Sequence, residues 1–466
     1  MLLVRGGEVV SPGGSVAADV LLDGGTIAAV APDLDPTGCE VIDAGGALVI
    51  PGGVDVHTHF DLPVGVVRSA DDFQTGTLAA ACGGTTTILD FAGAGREPPD
   101  EALRAWHAKA HGRAVIDYGF HLTVTDVPED PAEALERFRW FVAQGVTSVK
   151  LYLAYPERLM VDPPTLRRAL VAARDAGVLV CVHAEDGLEA VRRTDEVLAR
   201  GETGPAGIIE ARPPAIEAAA IRTAAQLAAG VDASAYIVHL SSAAGLAEVR
   251  AARERGVALL AETCPQYLFL TDDLLRQPPE VAQDFMCTPP VRTATDREAL
   301  WQALAEADLD AVSTDHCPFT VADRRRGWAP DAHAWQDFSQ IPGGLPGVET
   351  RLALVYQGVV RGRLSPERWV ALTATRPARL FGLAHRKGAL EPGMDADVVV
   401  FDPTATKRLD AGSLHMRTDH SPYADLTVTG WPAVTISGGA ILARQGEPAE
   451  VAPGRGRFLR RRPSGP

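Results

Sequence analysis

The sequence predicts an α/β protein built on a closed (β/α)₈ barrel, of the TIM type, with a smaller β-domain attached. Two observations predict this fold class. Eight short apolar runs, typical of buried parallel strands, recur along the chain, and segments of helical composition lie between them. Strict alternation of this kind favours a closed parallel barrel. A doubly wound open sheet is the alternative that the same alternation permits.

The barrel prediction depends on where these runs and segments lie. The eight predicted strands are Ala47–His57, Thr85–Asp90, Val115–Thr123, Val146–Leu151, Val178–His183, Ala235–His239, Val257–Glu262 and Leu309–Asp315. The helical segments include Pro164–Ala176, Glu217–Ala229, Gly245–Arg255 and Asp296–Ala307. We therefore expect the barrel domain to span residues 51–387.

The two ends of the chain predict the smaller domain. Short β-type runs punctuated by glycine occur at Leu2–Val10, Ala18–Val30, Val41–Asp43, Asp397–Asp402 and Leu426–Ala443. We interpret residues 1–50 and 388–446 as one composite β-sandwich made from both termini. The last segment, residues 447–466, is basic and rich in glycine and proline, which predicts a flexible tail.

Composition and charge argue against several classes of function. The 466 residues are 46% hydrophobic and 22% charged, which is typical of a globular protein. A net charge of −16 disfavours binding to nucleic acids and anionic membranes, and a small neutral substrate fits better. The N-terminal residues lack the pattern of a signal sequence or a spanning helix, and the six cysteines lack CxxC spacing. We therefore expect a cytoplasmic protein with reduced thiols.

Residues with metal-binding side chains end five of the predicted strands. His57 and His59 close the first run with a spacing of two, so both imidazoles face the same side of a strand. Four further candidate ligands each end a later strand, namely Lys150, His183, His239 and Asp315. Because the catalytic residues of a barrel collect at the C-terminal ends of its strands, this set predicts a metal centre there.

Charge counting leaves the role of Lys150 open. Four neutral histidines and one carboxylate can hold one divalent ion, but two ions need a further anion between them. A protonated lysine would repel a metal ion. On the residues alone, Lys150 is therefore either a structural lysine or a lysine that has been converted chemically into an anion.

Several longer strings follow one another along the chain. They are HTHFDLPVGVVRSADDFQTGTLAAACGGTTTILDF, AETCPQYLFLT, CTPPVR, TDHCPF, DFSQIPGGLPGVE, PARLFGL and RKGALEPGMDADVVVFDP. In order and spacing these strings closely resemble the dihydropyrimidinase and D-hydantoinase family of cyclic amidohydrolases. The resemblance runs from about Ile50 to the end of the small domain.

The resemblance implies a binuclear metal centre in which a carboxylated Lys150 bridges two divalent ions, usually zinc. The implied ligands are His57, His59, Lys150 and Asp315 for one ion, and Lys150, His183 and His239 for the other. Two such ions would activate water near neutral pH and polarise the carbonyl under attack. Asp315 would move a proton from the water to the leaving nitrogen, and Tyr155 would donate its hydroxyl to the oxyanion.

The resemblance also implies a substrate class. The substrate would be a cyclic ureide, such as a dihydropyrimidine or a hydantoin, opened to an N-carbamoyl amino acid. Main-chain groups near Thr288 and Gly343 would hold the ring, although the family usually carries serine and asparagine at these two positions. The residues expected to contact an exocyclic substituent are Pro63, Val64, Tyr152 and Leu159. A homo-oligomer, either a tetramer or a dimer, is implied as well.

Two alternatives remain open at this point. The metal ligands alone would also permit another cyclic amidohydrolase, such as an allantoinase or a dihydroorotase, although the surrounding strings argue against this. A non-catalytic scaffold of the same fold would have lost the ligands, whereas every ligand is retained here.

Overall fold

A computed structural model of the chain describes residues 1–156, 158–330, 337–450 and 452–463. Within these residues, eight parallel strands form a nearly closed barrel, and nine strands from the two ends of the chain form a separate, largely antiparallel sheet. The predicted fold class is confirmed, and the alternative of a doubly wound open sheet is wrong. None of the described helices is long and apolar enough to cross a membrane.

The described strands and helices are numbered in chain order. The strands are β1 (Leu2–Ser11), β2 (Gly14–Asp23), β3 (Thr26–Ala31), β4 (Glu40–Asp43), β5 (Leu48–Pro51), β6 (Gly53–Thr58), β7 (Pro63–Val64), β8 (Val67–Arg68), β9 (Thr85–Ala92), β10 (Asp117–Thr123), β11 (Ser148–Tyr152), β12 (Leu179–His183), β13 (Ala235–Ile237), β14 (Leu259–Thr263), β15 (Ala311–Val312), β16 (Val398–Arg408), β17 (Thr427–Ser437), β18 (Ala440–Arg444) and β19 (Glu447–Pro448). The α-helices are α1 (Thr75–Cys82), α2 (Pro99–Ala110), α3 (Pro131–Ala143), α4 (Pro163–Ala176), α5 (Gly187–Ala199), α6 (Gly207–Ala211), α7 (Pro214–Ala229), α8 (Ala243–Glu254), α9 (Pro265–Phe269), α10 (Pro279–Ala282), α11 (Ala294–Ala305), α12 (Val321–Arg326), α13 (Arg351–Val360), α14 (Pro366–Val370) and α15 (Arg376–Leu380). Short 3₁₀ helices occur at Asp272–Arg276, Gln283–Phe285, Phe338–Gln340 and Ala411–Ser413, and a π-helical turn at Ala371–Thr375.

Helix α4 shows how the sequence sets the outer layer of the barrel. It begins directly after its N-cap residue, Asp162, whose side chain accepts a hydrogen bond from the N–H of Thr165 at 2.8 Å. It ends at Gly177, whose φ of +70° is left-handed and therefore favours glycine. Its buried residues are Leu166, Ala169, Leu170, Ala172 and Ala173. This spacing gives the helix one apolar face, which packs against the strands.

The barrel strands follow the order β6, β9, β10, β11, β12, β13, β14 and β15. The first and last strands of this order share no ladder, but other contacts join them. The N–H of His59 donates to the carbonyl of His316 at 2.9 Å. The buried guanidinium of Arg351 donates to the carbonyls of Val54 at 3.2 Å and Val312 at 3.0 Å. These contacts bring the loops after β6 and β15 side by side.

The first predicted run, Ala47–His57, is two strands rather than one. Strand β5 pairs with β1 and β16 in the terminal sheet, whereas β6 pairs with β9 in the barrel. Gly52 lies between them, and a Cβ atom at this position would lie 2.1 Å from the Oγ1 atom of Thr86. The chain therefore passes from one sheet to the other at a point where the close approach admits only glycine. Each of the other seven predicted runs overlaps a barrel strand.

The terminal sheet is one continuous hydrogen-bonded path, β19-β18-β17-β16-β5-β1-β2-β3, with β4 paired to β1. It encloses its own apolar core, to which Val4, Val20, Val398 and Ile436 contribute from both ends of the chain. The sandwich that we expected is thus a single sheet folded around this core.

The C-terminal segment packs against the barrel at the N-terminal ends of its strands. Leu459 is fully buried, and its N–H donates to the carbonyl of Tyr118 at 2.7 Å. The buried guanidinium of Arg461 donates to the Oγ atom of Ser148 at 2.7 Å. The prediction of a flexible tail is therefore wrong for residues 452–463, because burial of these two side chains holds the segment in place.

Candidate active site

A cavity of about 480 Å³ opens at the C-terminal ends of the barrel strands. Every residue predicted from the sequence for metal binding, catalysis or substrate contact lines it. These residues are His57, His59, Pro63, Val64, Lys150, Tyr152, Tyr155, Leu159, His183, His239, Thr288, Asp315 and Gly343. The barrel brings them together because its parallel strands all end at this face.

Three of these side chains form a group that could hold a metal ion. The Oδ1 atom of Asp315 lies 3.1 Å from the Nε2 atoms of both His57 and His59. One ligand atom from each residue lies within 4.8 Å of the others. Burial lowers the pKa of His59 to about 4, so its ring is neutral at pH 7, as a metal ligand must be. Burial alone would raise the pKa of Asp315, but the two histidines hold it well below its usual range.

Glu262 fixes the orientation of His57. Its Oε1 atom lies 2.5 Å from the Nδ1 atom of His57, and its Oε2 atom accepts a hydrogen bond from the hydroxyl of Tyr236 at 2.9 Å. An imidazole that donates from Nδ1 carries its lone pair on Nε2. The buried Nε2 atom of His57 faces the Oδ1 atom of Asp315 at 3.1 Å, so both atoms can serve one cation.

A second pair of histidines lies in the same cavity. The Nδ1 atom of His183 and the Nε2 atom of His239 face each other at 2.9 Å. The Nε2 atom of His183 lies 2.8 Å from the buried carboxylate of Glu185, which also accepts from Arg212 at 2.7 Å. Burial alone would raise the pKa of Glu185, but Arg212 and His183 lower it to about 2. His183 therefore donates to a carboxylate and keeps its Nδ1 lone pair for the cavity.

Lys150 is buried on β11 and lines the cavity. Its Nζ atom lies 4.5 Å from the ring centre of Phe91 and 5.1 Å from that of Tyr152. Burial lowers the pKa of Lys150 to about 8, although Asp315 acts in the opposite direction. Its amine is therefore less completely protonated near neutral pH than that of an exposed lysine.

Tyr155 lies on the loop after β11, with a φ of +64° that is unusual for a tyrosine. Burial raises the pKa of its hydroxyl, while Arg212 and a hydrogen bond with Thr288 act in the opposite direction. The hydroxyl is thus protonated at pH 7 and can donate a hydrogen bond. A Cβ atom at Gly343 would lie 3.2 Å from the Oγ1 atom of Thr288. The two positions that depart from the family pattern are therefore neighbours in space.

Two buried groups hold the loops that carry His59 and Asp315. Asp90 accepts hydrogen bonds from Thr58 at 2.9 Å and from the N–H of Phe60 at 2.8 Å, on either side of His59. His316, next to Asp315, has its Nε2 atom 3.1 Å from the Oδ2 atom of Asp71, and its Nδ1 atom accepts from the N–H of Gly347 at 3.1 Å. Both loops are thus fixed by side chains that do not line the cavity.

Sequence reasoning missed the carboxylates that orient the histidines. Glu262 ends the seventh predicted strand, so the rule that identified the ligands would also have selected it. Glu185 follows His183 by two residues, a spacing that was visible in the sequence. The roles of Arg212 and Asp71 had no local signal, because each depends on a partner distant in sequence.

The chain resembles known proteins over nearly its whole length. Residues 48–442 match the Amidohydrolase family. The D-hydantoinase of Streptomyces coelicolor is 42% identical over 455 residues, which cover 96% of this chain and 95% of that protein. The D-phenylhydantoinase of Escherichia coli is 41% identical over 468 residues, which cover 99% of this chain and 98% of that one. The crystal structure of dihydropyrimidinase from Brevibacillus agri superimposes with a TM-score of 0.95 at 38% identity, covering 100% of this chain and 99% of that chain.

Proposed function

The chain belongs to the amidohydrolase family and is a hydrolase of the cyclic amides of hydantoins and dihydropyrimidines, and we propose that it uses two divalent metal ions and releases N-carbamoyl amino acids. One observation carries this proposal. Two groups of metal-binding side chains share a single cavity, and in each group a buried carboxylate turns a histidine lone pair toward that cavity. Such carboxylate–histidine pairs are typical of metal centres.

We assign the metal ligands as the resemblance implies. The ligands are His57, His59, Lys150 and Asp315 for one ion and Lys150, His183 and His239 for the other, with a carboxylated Lys150 as the bridge. Zinc is the ion that we expect, because imidazole and carboxylate groups suit it. Divalent ions bound here would lower the pKa of water and polarise a carbonyl group. The Nε2 atom of His57, which faces Asp315, and the Nδ1 atom of His183, which faces His239, support the assignment.

The protein's own residues would guide the hydrolysis. Water oxygen bonds to the ring carbonyl carbon, the bond from that carbon to the ring nitrogen breaks, and the nitrogen gains a proton. Asp315, kept as a carboxylate by its histidine neighbours, would take the water proton and pass it to the nitrogen. The protonated hydroxyl of Tyr155 would donate to the oxyanion.

The other cavity residues would bind the substrate. We propose that main-chain groups near Thr288 and Gly343 hold the ring. The side chains of Pro63, Val64, Tyr152 and Leu159 would contact the exocyclic substituent. We further propose a homo-oligomer, a tetramer or a dimer, which light scattering on the purified protein would test.

The alternatives have less support. The relatives described above are hydantoinases and a dihydropyrimidinase, so we prefer this substrate class to that of an allantoinase or a dihydroorotase. A non-catalytic scaffold is disfavoured because all six expected ligand side chains converge on one cavity.

A turnover panel tests the proposal. The zinc-loaded protein is assayed on dihydrouracil, hydantoin, 5-substituted hydantoins, allantoin and carbamoyl aspartate, with Asp315→Asn as the matched control. We expect ring opening of the first three and its loss in the control. Two outcomes would overturn the substrate class. One is turnover of only allantoin or carbamoyl aspartate, and the other is no turnover of any of the five compounds by protein that has bound two metal ions.

A further inference from the structure

The outer part of the cavity contains a tryptophan that several backbone contacts hold in place. The N–H of Trp328 donates to the carbonyl of Gln340 at 3.0 Å, and its indole Nε1 donates to the carbonyl of Ser339 at 2.8 Å. Its carbonyl accepts from the N–H of Val66 at 2.9 Å. Gly65 permits this contact, because its φ is +57° and a Cβ atom there would lie 1.9 Å from the Trp328 carbonyl oxygen. The indole ring thus has a defined position at the cavity wall.

An arginine lies over this ring. The guanidinium carbon of Arg158 is 5.0 Å from the centre of the Trp328 ring, and both residues line the cavity. The N–H groups of Arg158 and Leu159 donate to the carbonyl of Tyr155 at 3.2 and 3.0 Å. Arg158 therefore belongs to a tight turn that also carries the tyrosine assigned to the oxyanion. The same turn carries Leu159, which is expected to contact the exocyclic substituent, so Arg158 lies next to that part of the cavity.

In the described ranges of the chain, no carboxylate forms an ion pair with Arg158, whose guanidinium instead contacts the Trp328 ring. Arg212, which lines the same cavity, is instead paired with the buried Glu185 at 2.7 Å. Arg158 thus offers a guanidinium that pairs with no carboxylate among the described residues and lies over an aromatic ring.

We propose that Arg158 determines substrate specificity by binding an anionic group at the end of the exocyclic chain, so that hydantoins or dihydropyrimidines with a carboxylate-bearing substituent are preferred. This inference rests on the proposed function and specifies its substrate. A guanidinium can bind both oxygens of a carboxylate at once, and stacking on an indole restricts its orientation. The product would be an N-carbamoyl amino acid with a second carboxylate.

Two opposing charges have to be considered. The net charge of −16 repels anions at long range, but salt screens such repulsion beyond about 8 Å at physiological ionic strength. Asp195 of α5 also lines the cavity. A carboxylate is therefore expected to lie along Trp328, beside the loop after β11, rather than against α5.

Substrates of matched size allow the effect of the substituent's charge on turnover to be separated from the effect of its shape. We would measure kcat/KM for 5-(2-carboxyethyl)hydantoin and its uncharged counterpart 5-(2-carbamoylethyl)hydantoin, together with 5-isobutylhydantoin and unsubstituted hydantoin. At physiological ionic strength the acid should exceed the amide about tenfold, as one charged hydrogen-bonded contact allows. Arg158→Gln should reduce this ratio to about one, and Arg158→Lys should retain part of it. Added salt should also lower the ratio in the wild-type enzyme.

Arg167→Gln is the matched control, because Arg167 is an exposed arginine on α4 outside the cavity. It makes the same change in net charge and should leave the ratio unchanged. A wild-type ratio of one or less, or the same ratio in Arg158→Gln, would overturn the inference. If hydantoin is hydrolysed without any preference for the acid, only this inference fails. If none of the four compounds is hydrolysed by metal-loaded enzyme, the proposed function fails with it.

Discussion

The Oε1 atom of Glu262 lies 2.5 Å from the Nδ1 atom of His57, deep in the barrel. Because this contact directs the Nε2 atom of His57 to the cavity, Glu262→Gln should weaken zinc binding by about 10–100-fold. Competition with a chromophoric chelator would measure the affinity. Tyr236→Phe, which removes only the hydrogen bond to the other oxygen of Glu262, should have a smaller effect. Wild-type affinity in Glu262→Gln would show that this carboxylate does not orient the ligand.

A second prediction follows from the contact between positions 343 and 288. Asparagine at position 343 would bring its Cβ atom within 3.2 Å of the Thr288 hydroxyl oxygen. Gly343→Asn should therefore lower kcat/KM for hydantoin about tenfold by displacing Thr288 from Tyr155. Adding Thr288→Ser should recover part of the loss, because serine has no γ-methyl group and can rotate away. A double-mutant cycle should give a coupling of about 0.5–3 kcal/mol, and simple additivity of the two changes would contradict this account.

Lys387 is buried among three carboxylates that belong to different parts of the fold. Its Nζ atom lies 2.8 Å from Asp117, 2.9 Å from Asp395 and 2.6 Å from Asp397. Burial alone would lower the pKa of Lys387, but the carboxylates raise it well above its usual value. Burial alone would raise the pKa of Asp117, but Lys387 and Arg457 hold it well below its usual range. The cluster therefore joins the barrel, the terminal sheet and the C-terminal segment.

These opposite pKa shifts predict how stability depends on pH. The contribution of Asp117 is present above about pH 4 and is lost as the pH falls through its lowered folded-state pKa. That of Lys387 is present below about pH 10 and is lost as the pH rises through its raised pKa. Lys387→Met should cost about 3–5 kcal/mol at pH 7, because it removes a cation from all three buried carboxylates and leaves Asp397 without one among the described residues.

Urea unfolding at several pH values would test this prediction. The Lys387→Met variant should regain stability as the pH falls from 7 toward about 5, since buried carboxylates that have lost a cationic partner then take up protons. Wild-type protein should show no such gain. Arg386→Met, which removes a partly exposed partner of Asp395, is the control and should lose less stability than Lys387→Met. A variant whose stability followed the wild-type pH profile would argue against the cluster.

The last prediction concerns the C-terminal segment, residues 452–463, which packs against the barrel. Leu459→Ala should destabilise the protein by about 2–5 kcal/mol, because the side chain is fully buried beneath the barrel. Arg462→Ala changes an exposed residue of the same segment and should alter stability by no more than about 0.5 kcal/mol. Urea unfolding would compare the two variants. Equal stability of both variants would mean that the segment does not hold its place in solution.

Particular residues show how far the sequence could lead. The six expected ligand side chains could be selected because each ends an apolar run, and parallel strands bring such ends to one face of a barrel. The same rule, applied to the seventh run, would have added Glu262. The tail was misjudged because its composition is polar, whereas its place depends on Leu459 and Arg461 fitting beneath strands that lie far away in sequence.

The sequence by itself determined the barrel, the composite sheet and the set of side chains at the cavity, because strand periodicity and strand-end positions are local properties of the chain. Only the tertiary structure decided which side chains orient the others. His57 and Glu262 are 205 positions apart, and the contact of Arg158 with Trp328 likewise joins two distant loops. Such pairings depend on how the strands close into a barrel and how the loops pack above it, and no local pattern of residues encodes either.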